Sequence, residues 1–159
     1  MLNVRVATRA DIAAVDALLA RAYPRLLKAD YAPSMLVMAL PLIARAQPGL
    51  VVSGRYFVAV DAAGQVLGAG GYSPDRRGRA GQVRHVVTDD RHQRQGIGRA
   101  LLTHVLAEAR AAGLERLDCM ATLTAVRFYA ALGFAVQGPI TVPLAPGIDF
   151  PAVMMARAL

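Results

Sequence analysis

Cysteine occurs once in the 159 residues, at Cys119, so no disulfide can close within the chain. Its apolar surroundings suit a packed small hydrophobe better than a nucleophile. Lysine is equally scarce: Lys28 stands alone, and the net charge of +7 rests on arginine. Hydrophobic residues make up 55% of the chain, yet Arg, Asp or Pro interrupts every apolar run before the ~18 residues that a membrane span requires. Met1-Leu2-Asn3-Val4-Arg5-Val6 alternates like a strand, where a leader would show a basic and then an apolar stretch. A cytoplasmic protein with no membrane partner is the expectation. The chain holds no G-x-x-x-x-G-K-[ST] loop, no repeat, linker or low-complexity tract, and no metal is expected. Dispersed arginines without a recognition motif argue against a nucleic-acid partner. Residues 1–159 should form a single domain, large enough to bury ~68–70% of the unfolded surface in one core.

What is present centres on Gln93-Arg94-Gln95-Gly96-Ile97-Gly98-Arg99, a basic, glycine-bearing turn that runs straight into an amphipathic helix. Leu101, Leu102, Val105, Leu106 and Ala109 recur at helical spacing until Gly113 supplies a stop. Ahead of the turn, Gln82 to Thr88 reads as a strand. The first N–H groups of a helix lack intrahelical acceptors and sit at the positive end of its dipole, so an anion placed there satisfies both. Glycine at 96 and 98 removes Cβ atoms that would hold a ligand off the backbone, and permits positive φ. The amides around Gln95 to Arg99 are therefore expected to cradle a pyrophosphate. Arg91, Arg94 and Arg99 would raise its local concentration. A dinucleotide fingerprint is excluded, because its third glycine would fall on Leu101.

Around this unit, Asn3 to Ala7 reads as a strand, and Thr8-Arg9-Ala10-Asp11 opens a helix through about Arg21 that Tyr23-Pro24 ends or kinks. A second helical region spans roughly Ser34 to Ala46, with Pro41 inside it. Strands near 55–61 and 65–72 are joined by the hairpin signal Asp61-Ala62-Ala63-Gly64. A strand near 115–121, a helix from about Thr124 to Leu132 and strands near 134–140 and 150–157 follow. The crossover from the 82–88 strand to the 115–121 strand should be parallel and right-handed.

Gln93, Gly96 and Gly98 match the acyl-CoA signature Q/R-x-x-G-x-G/A. Further on, Ala125-Val126-Arg127-Phe128-Tyr129-Ala130-Ala131-Leu132-Gly133-Phe134 matches A-x-x-F-Y-x-x-L-G-F. In the order and spacing of both motifs the chain resembles the GCN5-related N-acetyltransferase (GNAT) superfamily. The resemblance covers nearly the whole chain, least so from about 20 to 48. It implies an α+β fold: a mixed, mostly antiparallel twisted sheet with helices on both faces and a parallel, splayed central strand pair. It also implies an acyltransferase that moves the acetyl group of acetyl-CoA directly to a primary amine of a small-molecule or protein acceptor. The alternative is a non-catalytic acyl-CoA-binding regulatory module. Acetyl-CoA and the amine are the expected partners, with a homodimer as an allowed assembly.

The same resemblance carries roles onto residues. The phosphates and pantetheine arm of acetyl-CoA would lie against Gln93, Arg94, Gln95, Gly96, Ile97, Gly98, Arg99 and Phe128, and against the strand backbone at Val86, Val87 and Thr88, whose N–H groups would also meet the oxyanion if a bulge forms near Val86-Val87. Thr122 stands where relatives often carry asparagine, and its hydroxyl or that of Thr124 would contact the arm. Tyr129 takes the position of the catalytic tyrosine, and a phenol of pKa ~10, protonated at neutral pH, suits the acid that meets the leaving sulfur. Many relatives place a glutamate base on the strand where this chain has Gln82, which cannot serve. His85, on the same strand and with an intrinsic pKa of ~6.5, is the alternative base. The variable segments Tyr23 to Met35 and the expected loop Gly138 to Phe150 would receive the acceptor. Tyr23, Tyr31 and Met35 would form its wall, and Asp30 and Asp149 are acids available to an ammonium.

Overall fold

Strand periodicity dominates the centre of the molecule. In β2 (Tyr56–Val60) every residue is buried, because Phe57 points into one core while Tyr56, Val58 and Val60 point into another on the opposite face. A computed structural model describes residues 1–159. Its seven strands form one sheet in the order β1-β2-β3-β4-β5-β7-β6, with β1 at Asn3–Val6, β3 at Val66–Pro74, β4 at Ala80–Thr88, β5 at Arg116–Thr122, β6 at Ala135–Ala145 and β7 at Ile148–Ala158. All neighbours are antiparallel except β4 and β5. Helix α4 (Ile97–Ala111) supplies the β4–β5 crossover and buries Leu101, Leu102 and Val105 against Phe57, Tyr72 and Leu117. On the other face, α1 (Ile12–Leu27) lays Val15, Leu18 and Leu19 over Tyr56, Val58 and Ala69. The α+β architecture, with helices on both faces, is the expected one.

The parallel pair is brief. β4 and β5 are in register only from Ala80–Arg116 to Gln82–Asp118, after which β5 stays with β7 through Thr122–Ala152 while β4 stays with β3. The sheet is thereby split along its middle, and the split opens toward the C-terminal ends of both strands.

Three elements differ from the sequence reading. Helix α1 does not stop near Arg21 but continues through Pro24 to Leu27, since burial of Ala22 and Leu27 compensates the hydrogen bond that proline cannot donate. Helix α2 spans Pro33–Ile43, with Pro33 in its first turn, and a short helix α3 (Pro48–Val51) follows where none was expected. Residues 138–150 are no loop. They belong to a long β6–β7 hairpin turning at Gly147 (φ 81°), in which Pro139 and Pro143 are tolerated because β6 is an edge strand. The capping pattern of Thr8 and Asp11 is present: the Thr8 amide donates to Asp11 Oδ2 at 2.7 Å, and Arg5 grips both carboxylate oxygens at 2.9 Å.

Candidate active site in the sheet split

Along β3–β4 the register passes from Ala69–Val87 to Gly71–Arg84, so His85 and Val86 together face the single residue Gly70. This bulge lies one residue earlier than the Val86-Val87 expectation. It forms there because Gly70 leaves room: a Cβ at that position would sit 2.8 Å from Val86 Cγ2. His85 takes φ 54°, in the left-handed region that non-glycine residues seldom occupy. Three bonds hold it. Tyr56 Oη donates to the His85 carbonyl at 2.8 Å, Tyr23 Oη donates to the Val86 carbonyl at 3.1 Å, and His85 Nε2 lies 2.8 Å from the Ile43 carbonyl. A carbonyl can only accept, so Nε2 carries the proton and Nδ1 is left with its lone pair. Nδ1 is buried and has no protein partner. Burial, opposed by the Ile43 carbonyl, lowers the His85 pKa below its ordinary value and favours the neutral ring.

Beyond β4, Asp89 is fully buried and receives the Arg91 amide at 2.9 Å, the Arg91 guanidinium at 3.1 Å and Arg21 at 2.9 Å, with His92 Nδ1 at 3.3 Å. Burial alone would raise its pKa, but the Arg91 hydrogen bonds and the Arg21 charge prevail and hold it at about 2. Arg25 reaches Asp90 at 3.2 Å, so α1 is fastened twice to this loop. The turn that follows uses left-handed backbone at Arg94 (φ 63°) and Gly96 (φ 78°), and the first helical hydrogen bond is Ala100 N to Gly96 O at 3.0 Å. The amides of Ile97, Gly98 and Arg99 therefore have no acceptor within the helix. The two glycines divide the work that the sequence reading gave to both. Gly96 supplies positive φ, whereas Gly98 supplies closeness: a Cβ there would lie 2.9 Å from Phe128 Cε1 and 3.2 Å from Thr88 Cγ2.

Helix α5 (Val126–Ala131) brings Phe128 and Tyr129 to the split from the other side. Tyr129 packs edge-on between Phe128 (5.1 Å) and Phe134 (5.4 Å), and its phenol faces the Cys119 thiol of β5. Burial, with Cys119 alongside, raises its pKa well above the ordinary value, so the phenol keeps its proton. Burial also pushes the Cys119 thiol up to about 12, despite the facing phenol, which leaves it an inert packed residue.

These groups enclose a cavity of about 760 Å³. Its wall includes His85, Val86, Val87, Thr88, Gln93, Arg94, Gly96, Ile97, Gly98, Arg99, Thr122, Thr124, Phe128, Tyr129 and Tyr23. Gln95, Tyr31 and Met35 are not part of it. Tyr31 is buried beside the split, stacked on Phe150 at 4.5 Å, with its hydroxyl donating to Pro151 O at 2.6 Å and accepting the Leu123 amide at 2.9 Å. Met35 packs with that same group. Thr124 donates its hydroxyl to Asp30 at 2.8 Å, which occupies that carboxylate. Gln82 is exposed at the joined end of the β4–β5 pair, away from the cavity. Leu26, His92, Cys119, Met120 and Arg127 line the cavity without having been singled out. Leu26 follows Leu19 and Tyr23 at helical spacing, a signal that Pro24 obscured. No helix is long and apolar enough to cross a membrane, and no cluster of His, Cys, Asp or Glu is placed to hold a metal.

The residues of the split are suited to a CoA thioester by their chemistry: unpaired helix-start amides beside arginines for the phosphates, an apolar wall for the arm, and a buried lone pair on His85. The Acetyltransferase (GNAT) family profile matches residues 16–134. A GCN5-related N-acetyltransferase from Rhodopseudomonas palustris superposes with a TM-score of 0.80 at 19% identity, over 99% of this chain and 95% of that one. YncA from Salmonella typhimurium, with its cofactor acetyl-CoA, gives 0.72 at 20% identity, over 100% and 94%. The chain also spans 35% of the longer N-acetylglutamate synthase from Neisseria gonorrhoeae, complexed with coenzyme A and N-acetyl-glutamate, with 100% of this chain covered, a TM-score of 0.68 and 17% identity. No curated protein sequence matches the chain. With a profile match over residues 16–134, most of its length, the chain belongs to the Acetyltransferase (GNAT) family.

Proposed function

We propose that the chain transfers the acetyl group directly to a primary amine of a small-molecule or protein acceptor, with His85 as proton acceptor and Tyr129 as proton donor. One observation carries this reading: a neutral histidine with a free, buried Nδ1 and a protonated tyrosine line the same split, at the inner end of a phosphate cradle. Acetyl-CoA supplies a thioester, an activated acyl group attached to a fairly good leaving sulfur. The amides of Ile97, Gly98 and Arg99, with Arg94 and Arg99, are suited to its phosphates. Thr122 and the β4 backbone at Val87 and Thr88 are suited to the arm. An alkyl amine of pKa ~10.4 is neutral in only about one molecule in 10³ at pH 7, so a base is needed. His85 Nδ1 can take that proton, because Ile43 fixes the tautomer and burial keeps the ring uncharged. Tyr129 can return a proton to the departing sulfur. The Val86 amide, which lies at the bulge without a register partner on β3 or β5, is suited to meet the oxyanion. Tyr23, Leu26 and Met120 give the remaining wall an apolar character, and no carboxylate lines the cavity.

The test is an amine panel with acetyl-CoA, following free thiol release. Release that depends on one class of primary amine, and that falls in His85→Asn and Tyr129→Phe, is the expected result. Tight CoA binding without amine-dependent thiol release from any member would favour the non-catalytic module.

A further inference from the structure

Two tyrosine hydroxyls end on consecutive carbonyls of the bulge. Tyr56, wholly buried on β2, donates to His85 O at 2.8 Å, and Tyr23, on α1, donates to Val86 O at 3.1 Å. We propose that Tyr56 aims the Val86 amide into the split while Tyr23 fixes the peptide that follows, so that the two hydroxyls clamp the bulge on both sides of Val86 and are positioning residues for the carbonyl of the acetyl group. This rests on the acetyl-CoA reading above.

The argument begins with the peptide plane. A trans peptide is flat, so its C=O and N–H point in opposite directions, and fixing the His85 carbonyl fixes the Val86 N–H. Tyr56 reaches that carbonyl from the β2 side of the bulge, which directs the Val86 N–H the other way, toward β5. Neither strand offers Val86 a register partner: β3 skips it at the bulge, and β5 has left β4 after Gln82–Asp118. Val86 thus lies outside the register of both neighbouring strands, and its amide is turned toward the split. The bulge needs outside support, because His85 sits at φ 54°, a backbone state that a non-glycine residue keeps only where its surroundings over-determine it. The Tyr56 bond, the Tyr23 bond and the His85 ring bond to Ile43 provide that constraint from three different elements. Gly70 completes the arrangement by leaving space beneath Val86. A preorganised donor of this kind stabilises developing charge without reorganising during the reaction.

The experiment needs no acceptor. Acetyl-CoA labelled at the acetyl carbonyl is bound to the parent protein and to Tyr56→Phe, Tyr23→Phe and the double variant, and the carbonyl stretch of the bound thioester is read by difference infrared spectroscopy. CoA affinity by calorimetry and melting temperature are measured alongside. In the parent the band should lie below that of free acetyl-CoA, and each substitution should return it toward the free position while CoA affinity stays within about twofold, because CoA lacks the carbonyl that the clamp serves. Once an acceptor is in hand, kcat should fall roughly ten- to a hundred-fold, since the donor is misaligned but not removed. A merely structural tyrosine would lower the melting temperature and leave the band in place. Folded single and double variants with the parental band position would overturn the clamp while leaving the transferase reading intact. If Tyr56→Phe fails to fold, the ¹⁵N-labelled Val86 amide of the parent decides: it should shift when acetyl-CoA binds and not when CoA binds, and the same response to both would overturn the clamp. A parent protein that binds no acetyl-CoA would overturn the clamp and the underlying reading together.

Discussion

Replacing Tyr129 by phenylalanine isolates one proton. The ring keeps its edge contacts with Phe128 and Phe134, and the only lost neighbour of the hydroxyl is the weakly hydrogen-bonding Cys119 thiol, so the fold should lose little. The phenol keeps its proton in this enclosure and can donate it as the C–S bond breaks. Loss of one positioned proton transfer is worth ~10²–10⁴-fold, so Tyr129→Phe should lower kcat and kcat/KM together by that range, with CoA affinity nearly unchanged. Steady-state kinetics on a verified amine, with calorimetry for CoA, make the measurement. A pure phenylalanine variant turning over at the parental rate would refute the acid role.

Other outcomes follow from the same geometry. Gly98→Val drives a branched side chain into Phe128 and Thr88, at a cost of about 1–3 kcal/mol, and should weaken CoA binding at least tenfold by calorimetry; unchanged affinity in a folded variant would misplace the cradle. Asp89→Ala leaves Arg21 and Arg91 without their buried partner and should lower urea-unfolding stability by about 2–3 kcal/mol, the low side for a buried pair because both arginines keep contact with water. Because the Asp89 pKa is held below its unfolded value, its contribution is complete above pH ~4 and disappears as the pH falls through about 2, so the variant should show a shallower acid limb; an identical limb in both proteins would contradict this. If His85 is the base, kcat should rise through an apparent pKa below 6.5 and level off by neutral pH, since burial lowers the pKa and the reactive form is the neutral one. His85→Asn, which tolerates the left-handed backbone, should abolish that limb, and its survival would remove His85 from the role.

Much of this arrangement was legible in the residues because it is local. The strand, turn and helix from Gln82 to Ala111 carry their own signals: alternation, two glycines, then apolar residues at helical spacing. They place the cradle without help from the rest of the chain. What escaped depends on partners distant in sequence. Pro24 reads as a stop, yet α1 continues because Leu27 has a tertiary place to go. Tyr31 looks like an exposed aromatic wall until Pro151 and Leu123, far along the chain, take both sides of its hydroxyl. The bulge falls at His85-Val86 because of the space over Gly70 on the neighbouring strand, which no pattern within β4 reveals. The prolines between Gly138 and Phe150 suggest a loop, and only the edge position of β6 permits them in a strand.

The choice of arginine around the cavity has a chemical consequence of its own. Arg94, Arg99 and Arg127 line the split, while the lone lysine, Lys28, lies exposed just past the end of α1. A thioester acylates amines that can lose a proton, and an ammonium of pKa ~10.4 does so occasionally, whereas a guanidinium holds its charge at any physiological pH and offers no free lone pair. The cradle can therefore attract a reactive donor by charge without presenting it with a nucleophile. Positive potential and acyl-accepting capacity, which lysine would have combined, are kept apart, and in the proposed reaction the cradle's own side chains do not compete with the acceptor amine.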